Sequence, residues 1–105
     1  MGVDKLERDF RYKVNAWARK IRVFPHDVRI ERLEKKWGFC TADGFVTFNS
    51  ELLFLDEAIQ DYVIIHELLH LKVSHHGKLF RSLMSVYLPD WQKQEVKLSK
   101  EATRI

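Results

Sequence analysis

The pentapeptide His66-Glu67-Leu68-Leu69-His70 has the HExxH spacing with which zinc hydrolases place two metal ligands and a general base on one helical turn. Residues four positions apart on an α-helix differ by about 40° around its axis, so both imidazoles can face the same metal ion. Glu67 then lies beside that ion. We therefore predict that His66 and His70 bind zinc and that Glu67 is the catalytic residue, acting as a general base.

A catalytic zinc ion has three protein ligands and one open position, so a third ligand must come from elsewhere in the chain. The sequence has one cysteine, which excludes a cysteine-based zinc cluster. His75 and His76 are the candidates, since Gly77 can let the chain turn back toward the metal. The interval from His66 to His76 equals that between the first and third histidines of metzincins, although Val73 stands where they need glycine. We favour His76 and keep His75 as the alternative.

A single zinc ion held in this way would polarise a scissile carbonyl and lower the pKa of a bound water toward about 7. Glu67 would accept the proton and pass it to the leaving amine. The predicted function is that of a zinc metalloendopeptidase acting on a peptide or protein substrate. His75 and Tyr87 are candidates for stabilising the oxyanion, and Asp90 is a candidate for orienting a ligand imidazole.

Other interpretations of the histidines are open. They can be core side chains satisfied by hydrogen bonds, and His75 and His76 can cap the C-terminus of a helix. A different class of function is a non-catalytic, zinc-stabilised binding module whose basic ends contact nucleic acid or protein. However, residues 23–77 carry nine acidic and five basic side chains, and a structural zinc site needs four protein ligands and no base. We therefore expect no nucleic-acid partner.

Hydrophobic spacing indicates which elements position these residues. Apolar residues three or four apart predict an N-terminal amphipathic helix over residues 3–22, with the stripe Val3, Leu6, Phe10, Val14, Trp17 and Ile21. A first short strand is predicted at Val28 and Ile30, with Leu33 as a further member. Two more strands are predicted at about 36–41 and 45–49, with an Asp-Gly pair between them that is typical of a tight hairpin turn.

Three helices are predicted after this small three-stranded sheet. Asp56 is the expected N-cap of the central helix that carries HExxH and runs to about Ser74, and its apolar residues lie nearly all round, which predicts central burial. A following helix covers Lys78 to Leu88, and a C-terminal helix covers residues 91–105. The inward positions of the second of these helices should be Leu79, Leu83 and Val86 or Tyr87. The fold class is α+β, with residues 1–105 as one domain.

The strands offer further candidate roles. Trp37 and Cys40 are expected to be core side chains. A free strand edge above the metal can bind an extended peptide by adding a strand, and we assign this role to Phe45–Asn49. His26 is expected to be exposed in a turn and not to be a ligand.

The chain resembles the minigluzincins, which are very short zinc peptidases, and the related catalytic domains of integral-membrane zinc peptidases. The similar segments follow one another in order: Trp37 to Cys40, Asn49, Tyr62 to Leu71, His76, Phe80 and Leu88 to Trp91. The resemblance implies a fold with an N-terminal helix, a small sheet, an active-site helix and a following helix. It also implies histidine as the third ligand, at His76, although His75-His76-Gly77 stands where related domains more often have asparagine-histidine-serine.

Minigluzincins are latent, with C-terminal segments that obstruct the cleft. The resemblance therefore implies that residues 91–105 maintain latency in this chain. The alternative is that this amphipathic helix simply completes the core.

The N-terminal ten residues carry five charged side chains and lack the apolar core of a signal peptide, and no apolar run approaches the roughly 20 residues that span a bilayer. Together with the single cysteine, these features predict a cytoplasmic protein with no membrane partner. A C-terminal helix after a Pro-Asp hinge can dock in its own chain or in a second copy, so a homodimer formed by helix exchange is compatible with the sequence.

Overall fold

The structure, a computed structural model, describes residues 2–101, with side chains from residue 3 onward. Its elements in chain order are α1 (Gly2–Ile21), β1 (Asp27–Glu31), β2 (Gly38–Cys40), β3 (Phe45–Asn49), α2 (Glu57–Leu69), α3 (Lys78–Tyr87) and α4 (Trp91–Glu101). A 3₁₀-helix, Ser50–Phe54, joins β3 to α2. The α+β fold and the order of its elements are as predicted, and the last four residues of the predicted C-terminal helix lie outside the described part.

Helix α1 packs its predicted stripe against α2. Phe10, Val14 and Ile21 are buried, whereas Val3 is 54% exposed and therefore contributes little to the core. Arg22 has a φ of 65°, which ends the helix three residues before Pro25. The side chains that hold α1 to α2 at the surface include Lys13, whose Nζ lies 3.0 Å from Asp61 Oδ1.

The sheet has the order β1-β3-β2, with β3 in the centre. Strand β1 runs parallel to β3, with Asp27 opposite Phe45, and β2 runs antiparallel to β3, with Cys40 opposite Val46. The prediction that Phe45–Asn49 is a free edge is therefore wrong, because both of its sides are already paired. The free edge next to α2 belongs to β2. The predicted hairpin turn between β2 and β3 is confirmed, and Gly44 supplies its positive φ of 94°.

Asn49 fixes the end of the central strand. Its side chain is fully buried, its Nδ2 donates to the carbonyls of Leu33 and Lys36 at 3.1 and 2.9 Å, and its Oδ1 accepts from the amide of Glu51 at 2.9 Å. One side-chain amide thus donates hydrogen bonds to two carbonyl groups of the loop between β1 and β2 and also caps the 3₁₀-helix. Through its backbone amide, which donates to the Trp37 carbonyl at 2.9 Å, Asn49 also sets the position of β2.

Helix α2 is the buried centre of the fold, in contact with α1, α3, α4 and the sheet. Asp56 caps it as predicted, since its Oδ1 accepts from the amide of Ile59 at 3.0 Å. The helix ends at Leu69 with His70 as the C-cap, not at Ser74 as predicted. A continuous helix would have placed His76 about 15 Å along the axis from His66, at roughly 1.5 Å per residue. Because α2 ends early, the chain can turn back and bring His76 close to His66.

Helix α3 turns a different face inward from the one predicted. Phe80 and Met84 are buried, Leu83 and Tyr87 are half-buried, and Leu79 and Val86 are 61% and 70% exposed. The prediction for Leu79 is wrong, and of the alternatives Val86 and Tyr87 it is Tyr87 that is half-buried. The sequence of this helix contains two overlapping apolar stripes, and packing against the histidines selects the one that contains Phe80.

In the described part of the chain, no helix combines the length and the apolar content needed to cross a bilayer.

Candidate metal centre

Three histidines meet where α2 ends and α3 begins. His66 and His70 come from the last turn and C-cap of α2, and His76 comes from the loop before α3. The Nε2 atom of His76 lies 2.8 Å from that of His70 and 3.1 Å from that of His66. All three ligand atoms lie within 4.8 Å of one another.

The donor set fits a tetrahedral zinc ion. With Zn–N bonds of roughly 2.0–2.1 Å, ligand nitrogens at tetrahedral angles are about 3.3 Å apart, close to the 2.8 and 3.1 Å that separate His76 from the other two histidines. Hydrogen bonding alone explains the cluster less well, because the Nε2 of His76 carries at most one proton and faces two other nitrogens. A shared cation satisfies all three.

His75, the alternative third ligand, is exposed and lies outside this group of three. Gly77 follows with a φ of −82° and no side-chain hydrogen bond, and a Cβ at Gly77 would meet nothing within 4 Å. The turn that brings His76 back therefore does not require glycine, contrary to the argument from the sequence. The return depends instead on the end of α2 at Leu69.

Glu67 lies under strand β2. Its side chain is buried, and its Oε2 atom lies 3.2 Å from the Nδ1 of His66. Gly38 of β2 sits directly over it, since a Cβ at Gly38 would lie 3.1 Å from Glu67 Cγ and 3.0 Å from the carbonyl oxygen of Thr47. The absence of a side chain at Gly38 is what allows the strand to approach Glu67 this closely.

Two ionisable groups beside Glu67 have shifted pKa values. Burial lowers the pKa of His70, and the neighbouring positive charge of His66 lowers it further. The neutral imidazole, which is the metal-binding form, is thereby favoured. Burial raises the pKa of the Cys40 thiol, and the charge of Glu67 adds to this effect. Cys40 is half-buried and contacts the core, as predicted, and so does Trp37.

Phe80 of α3 supports the three imidazoles. Its ring centroid lies 5.3 Å from that of His66, 4.7 Å from that of His70 and 4.9 Å from that of His76. The side chain is 3% exposed, so it forms an apolar surface on which the cluster rests. The spacing argument missed this residue. Its separation of four from His76 was the available signal.

The histidine cluster opens on two sides. On the side of β2, a groove is lined by Glu67 and His70 and by Gly38, Phe39, Cys40, Thr41, Ala42 and Ser74. On the side of α4, a cavity of about 280 Å³ is lined by His66 and His76 and by Tyr62, Phe80, Arg81, Met84, Trp91, Gln92 and Glu95. The C-terminal helix therefore forms one wall of the space beside the histidines.

Tyr62 joins the two walls of this cavity, and the sequence analysis missed it. Its hydroxyl donates to Glu95 Oε2 of α4 at 3.1 Å, and its ring centroid lies 5.8 Å from that of His66. Burial raises the pKa of Tyr62, and the charge of Glu95 raises it further, so the hydroxyl keeps its proton. The position four residues before His66 on the same helical face was the signal that points to it.

The remaining predicted residues lie elsewhere. Neither His75 nor Tyr87 is among the residues that line the two openings described above. Asp90 is exposed and its Oδ2 accepts from Gln94 Nε2 at 3.0 Å, so the described contacts give it no role in orienting an imidazole.

His26 is exposed, as predicted, and stacks on Phe45 with 6.1 Å between ring centroids.

Comparison with known proteins identifies one family, the YgjP-like metallopeptidase domain, whose pattern matches residues 3–101. The fold is similar to that of the metallopeptidase zymogen jannalysin from Methanocaldococcus jannaschii, with a TM-score of 0.78 and 21% identity over 88% of this chain and 95% of that one. It is also similar to the metallopeptidase zymogen abylysin from Pyrococcus abyssi, with a TM-score of 0.67 and 23% identity over 94% and 93% of the two chains. The comparison with curated proteins gave no match.

Proposed function

Since this chain belongs to the YgjP-like metallopeptidase-domain family, we propose that it is a zinc metalloendopeptidase of the gluzincin type in which His66, His70 and His76 hold one zinc ion and Glu67 is the general base. The convergence of three Nε2 atoms at the end of one buried helix carries the proposal. Among the described residues, no cysteine or carboxylate joins this group, which disfavours a closed four-ligand structural site.

When bound, zinc supplies a Lewis acid and lowers the pKa of a coordinated water. In this proposal Glu67 accepts the proton, which is supported by the free acceptor positions of its carboxylate: it can take about four hydrogen bonds, and the contact with His66 Nδ1 uses one of them. The carboxyl group formed in this way then protonates the leaving amine. Burial of Glu67 under β2 keeps bulk water from competing for that proton.

We assign substrate binding to the free edge of β2. Its outer side borders the groove that contains Glu67 and His70, and an extended peptide can add a strand there through backbone hydrogen bonds. The substrate is a peptide or protein, and the acidic middle of the chain disfavours nucleic acid. We retain the cytoplasm as the proposed location, because the lone Cys40 offers no partner for an internal disulfide.

We further propose that the chain as folded here is latent. Trp91, Gln92 and Glu95 of α4 line the cavity beside His66 and His76, so the helix narrows access to the metal from that side. Jannalysin and abylysin are metallopeptidase zymogens, which supports this proposal by analogy of fold. The segment responsible would be residues 91–105.

The central test combines metal content with turnover. The full chain, loaded with zinc and assayed on a short flexible peptide, should cleave it slowly. Glu67→Gln should bind zinc equally well and lose turnover by more than about 100-fold, because it removes the base. Removal of one imidazole in His76→Gln should weaken zinc binding at least about tenfold, whereas the neighbouring control His75→Gln should not. Equal turnover in Glu67→Gln, or loss of zinc only in His75→Gln, would contradict the assignment.

A further inference from the structure

The cavity between α2, α3 and α4 contains an unusual combination of charged groups. Its floor is apolar, formed by Phe80 and Met84. Arg81 lies on the α3 wall and Glu95 on the α4 wall. The two charged side chains do not form an ion pair with each other among the described contacts, so each faces the cavity with a different partner.

Glu95 is directed to Tyr62. It is on the exposed side of α4, yet its carboxylate reaches back to accept the Tyr62 hydroxyl at 3.1 Å, next to the ring of His66. The carboxylate of α4 thus lies within the cavity beside His66 and His76.

Arg81 is held by the same helix. Its guanidinium carbon lies 5.8 Å from the ring centroid of Trp91, and among the described ion pairs none involves Arg81. If α4 leaves, both the Tyr62 hydroxyl and the Arg81 guanidinium lose their α4 partners. Apart from the two histidines, the remaining lining residues then have one neutral donor, Tyr62, one cation, Arg81, and no acid.

We propose that Tyr62 and Arg81 form a specificity pocket for an acidic side chain of the substrate, next to the cleaved bond, and that Glu95 occupies this pocket as a substrate mimic while α4 is docked. This inference rests on the proposed peptidase function and names the substrate class of the same site. A carboxylate is the group that suits both residues at once, because it replaces Glu95 as acceptor for the Tyr62 hydroxyl and supplies the counter-charge that Arg81 lacks.

The contact between Tyr62 and Glu95 has a simpler interpretation as a clamp that only holds α4 in place. The two interpretations predict different outcomes. A clamp affects how often the cleft is open, which multiplies the affinity of every peptide by the same factor. A specificity pocket changes the ratio of affinities between peptides.

The experiment measures binding of blocked peptides acetyl-Ala-Ala-X-Ala-Ala-amide, with X as glutamate, glutamine, leucine or lysine, to the zinc-loaded full chain. All proteins carry Glu67→Gln so that the peptides stay intact. The second substitutions are Glu95→Ala, Tyr62→Phe and Arg81→Gln. Tyr12→Phe is the matched control, since it removes a hydroxyl from a tyrosine that is 70% exposed and is not among the residues that line the cavity.

We expect the glutamate peptide to bind most tightly. Glu95→Ala should raise the affinity of all four peptides while keeping the glutamate-to-leucine ratio. Tyr62→Phe and Arg81→Gln should each lower that ratio about tenfold, since each removes a hydrogen bond or ion pair to a charged group. Tyr12→Phe should change neither quantity.

An unchanged ratio in both Tyr62→Phe and Arg81→Gln, a preference for leucine or lysine, or no binding by any variant, Glu95→Ala included, would overturn the proposal. Failure of the proposed function has a different result: peptides bind to the Glu67→Gln proteins with the glutamate preference, but the matching proteins with intact Glu67 do not cleave them.

Discussion

Gly38 shows how a residue without a side chain contributes to the candidate site. The strand that carries it passes so close to Glu67 that an added Cβ would lie 3.1 Å from Glu67 Cγ, and the carbonyl of Thr47 at 3.0 Å blocks movement to the other side. The Glu67 carboxylate, our proposed base, is therefore positioned by the backbone of β2 and the Thr47 carbonyl as well as by its contact with His66 Nδ1. Such positioning is sensitive to small displacements.

Gly38→Ala tests this directly. The extra methyl group should displace Glu67 and lower turnover about 10- to 100-fold, with zinc content unchanged, and should lower the free energy of unfolding by about 1–3 kcal/mol. Turnover, bound zinc and denaturant unfolding are the measurements. Gly77→Ala is the matched control, because a Cβ at Gly77 meets nothing within 4 Å. Equal turnover in the two variants would show that β2 does not constrain Glu67.

His70 makes the stability of the metal-free chain depend on pH. Burial lowers the pKa of His70 in the folded state below its ordinary value of about 6.5, so the unfolded chain binds its proton first as the pH falls. The free energy of unfolding should therefore decrease below about pH 6.5 and level off below the lowered pKa of the folded state. Denaturant unfolding in the presence of a chelator measures it. His70→Gln should flatten the dependence, and an unchanged slope in that variant would contradict the assignment.

At the scale of elements, the sequence predicted correctly those features that depend on interactions between neighbouring residues. The Asp56 cap, the Asp-Gly turn and the α1 stripe from Phe10 onward were found where expected, because each depends on neighbours within a few residues. Non-local pairing was not predictable in this way. Strand β3 is central because β1 pairs with it in parallel, although β2 lies between them in the sequence. No local spacing reveals this pairing.

Which face of α3 turns inward could not be predicted from local spacing either. Two apolar stripes are present in its sequence, and contact of Phe80 with the three histidines decides between them. The pair His66 and His70 could be predicted from spacing alone, since both belong to one turn. Tyr62 and Glu95 could not be paired from sequence, because their contact depends on how α4 packs against α2.

Helix α4 is not packed for maximum stability. Its buried face consists of Trp91, Gln94 and Leu98, and Gln94 is only 2% exposed. The Gln94 Nε2 donates to Asp90, but its Oε1 has no hydrogen-bond partner within the part of the chain that the structure describes. A buried unpaired acceptor costs about 1–3 kcal/mol. The unpaired oxygen thus weakens the docking of α4 at its centre, which agrees with the proposal that this helix is released on activation.

Substitutions on this face should change stability and turnover in opposite directions. Gln94→Met removes the unpaired oxygen, so it should stabilise the docked helix by about 1 kcal/mol and lower turnover. Leu98→Ala should destabilise it by about 2–4 kcal/mol and raise turnover at least about tenfold, because the cleft is open more often. Peptide cleavage and hydrogen exchange of the α4 amides measure the two effects.

Leu53→Ala is the control for this pair. It removes the same atoms from a side chain that is 5% exposed in the 3₁₀-helix and that belongs neither to α4 nor to the cavity lining. It should lower stability without raising turnover. A Leu98→Ala protein that is less stable but no more active than wild type would show that α4 completes the core and does not obstruct the cleft.

The distribution of charge explains how the two ends of the molecule assemble. Both ends of the sequence are basic and the middle is acidic. Lys13 of α1 pairs with Asp61 at 3.0 Å, and Lys97 of α4 lies 3.8 Å from Asp56, so both outer helices meet the acidic N-terminal part of α2. These partly exposed pairs contribute little free energy individually, but they favour this arrangement of helices over others.

The same contacts can form between two chains. If α4 docked on the α2 of a second copy, the Tyr62–Glu95 bond and the buried face would be reproduced with a different chain supplying the helix. Each cleft of such a dimer would be covered as it is here. We therefore expect dimer formation to depend on concentration, whereas turnover per chain should not. Sedimentation velocity and peptide cleavage over the same concentration range measure both. A specific activity that rises or falls with the dimer fraction would show that the partner's helix does not reproduce this packing.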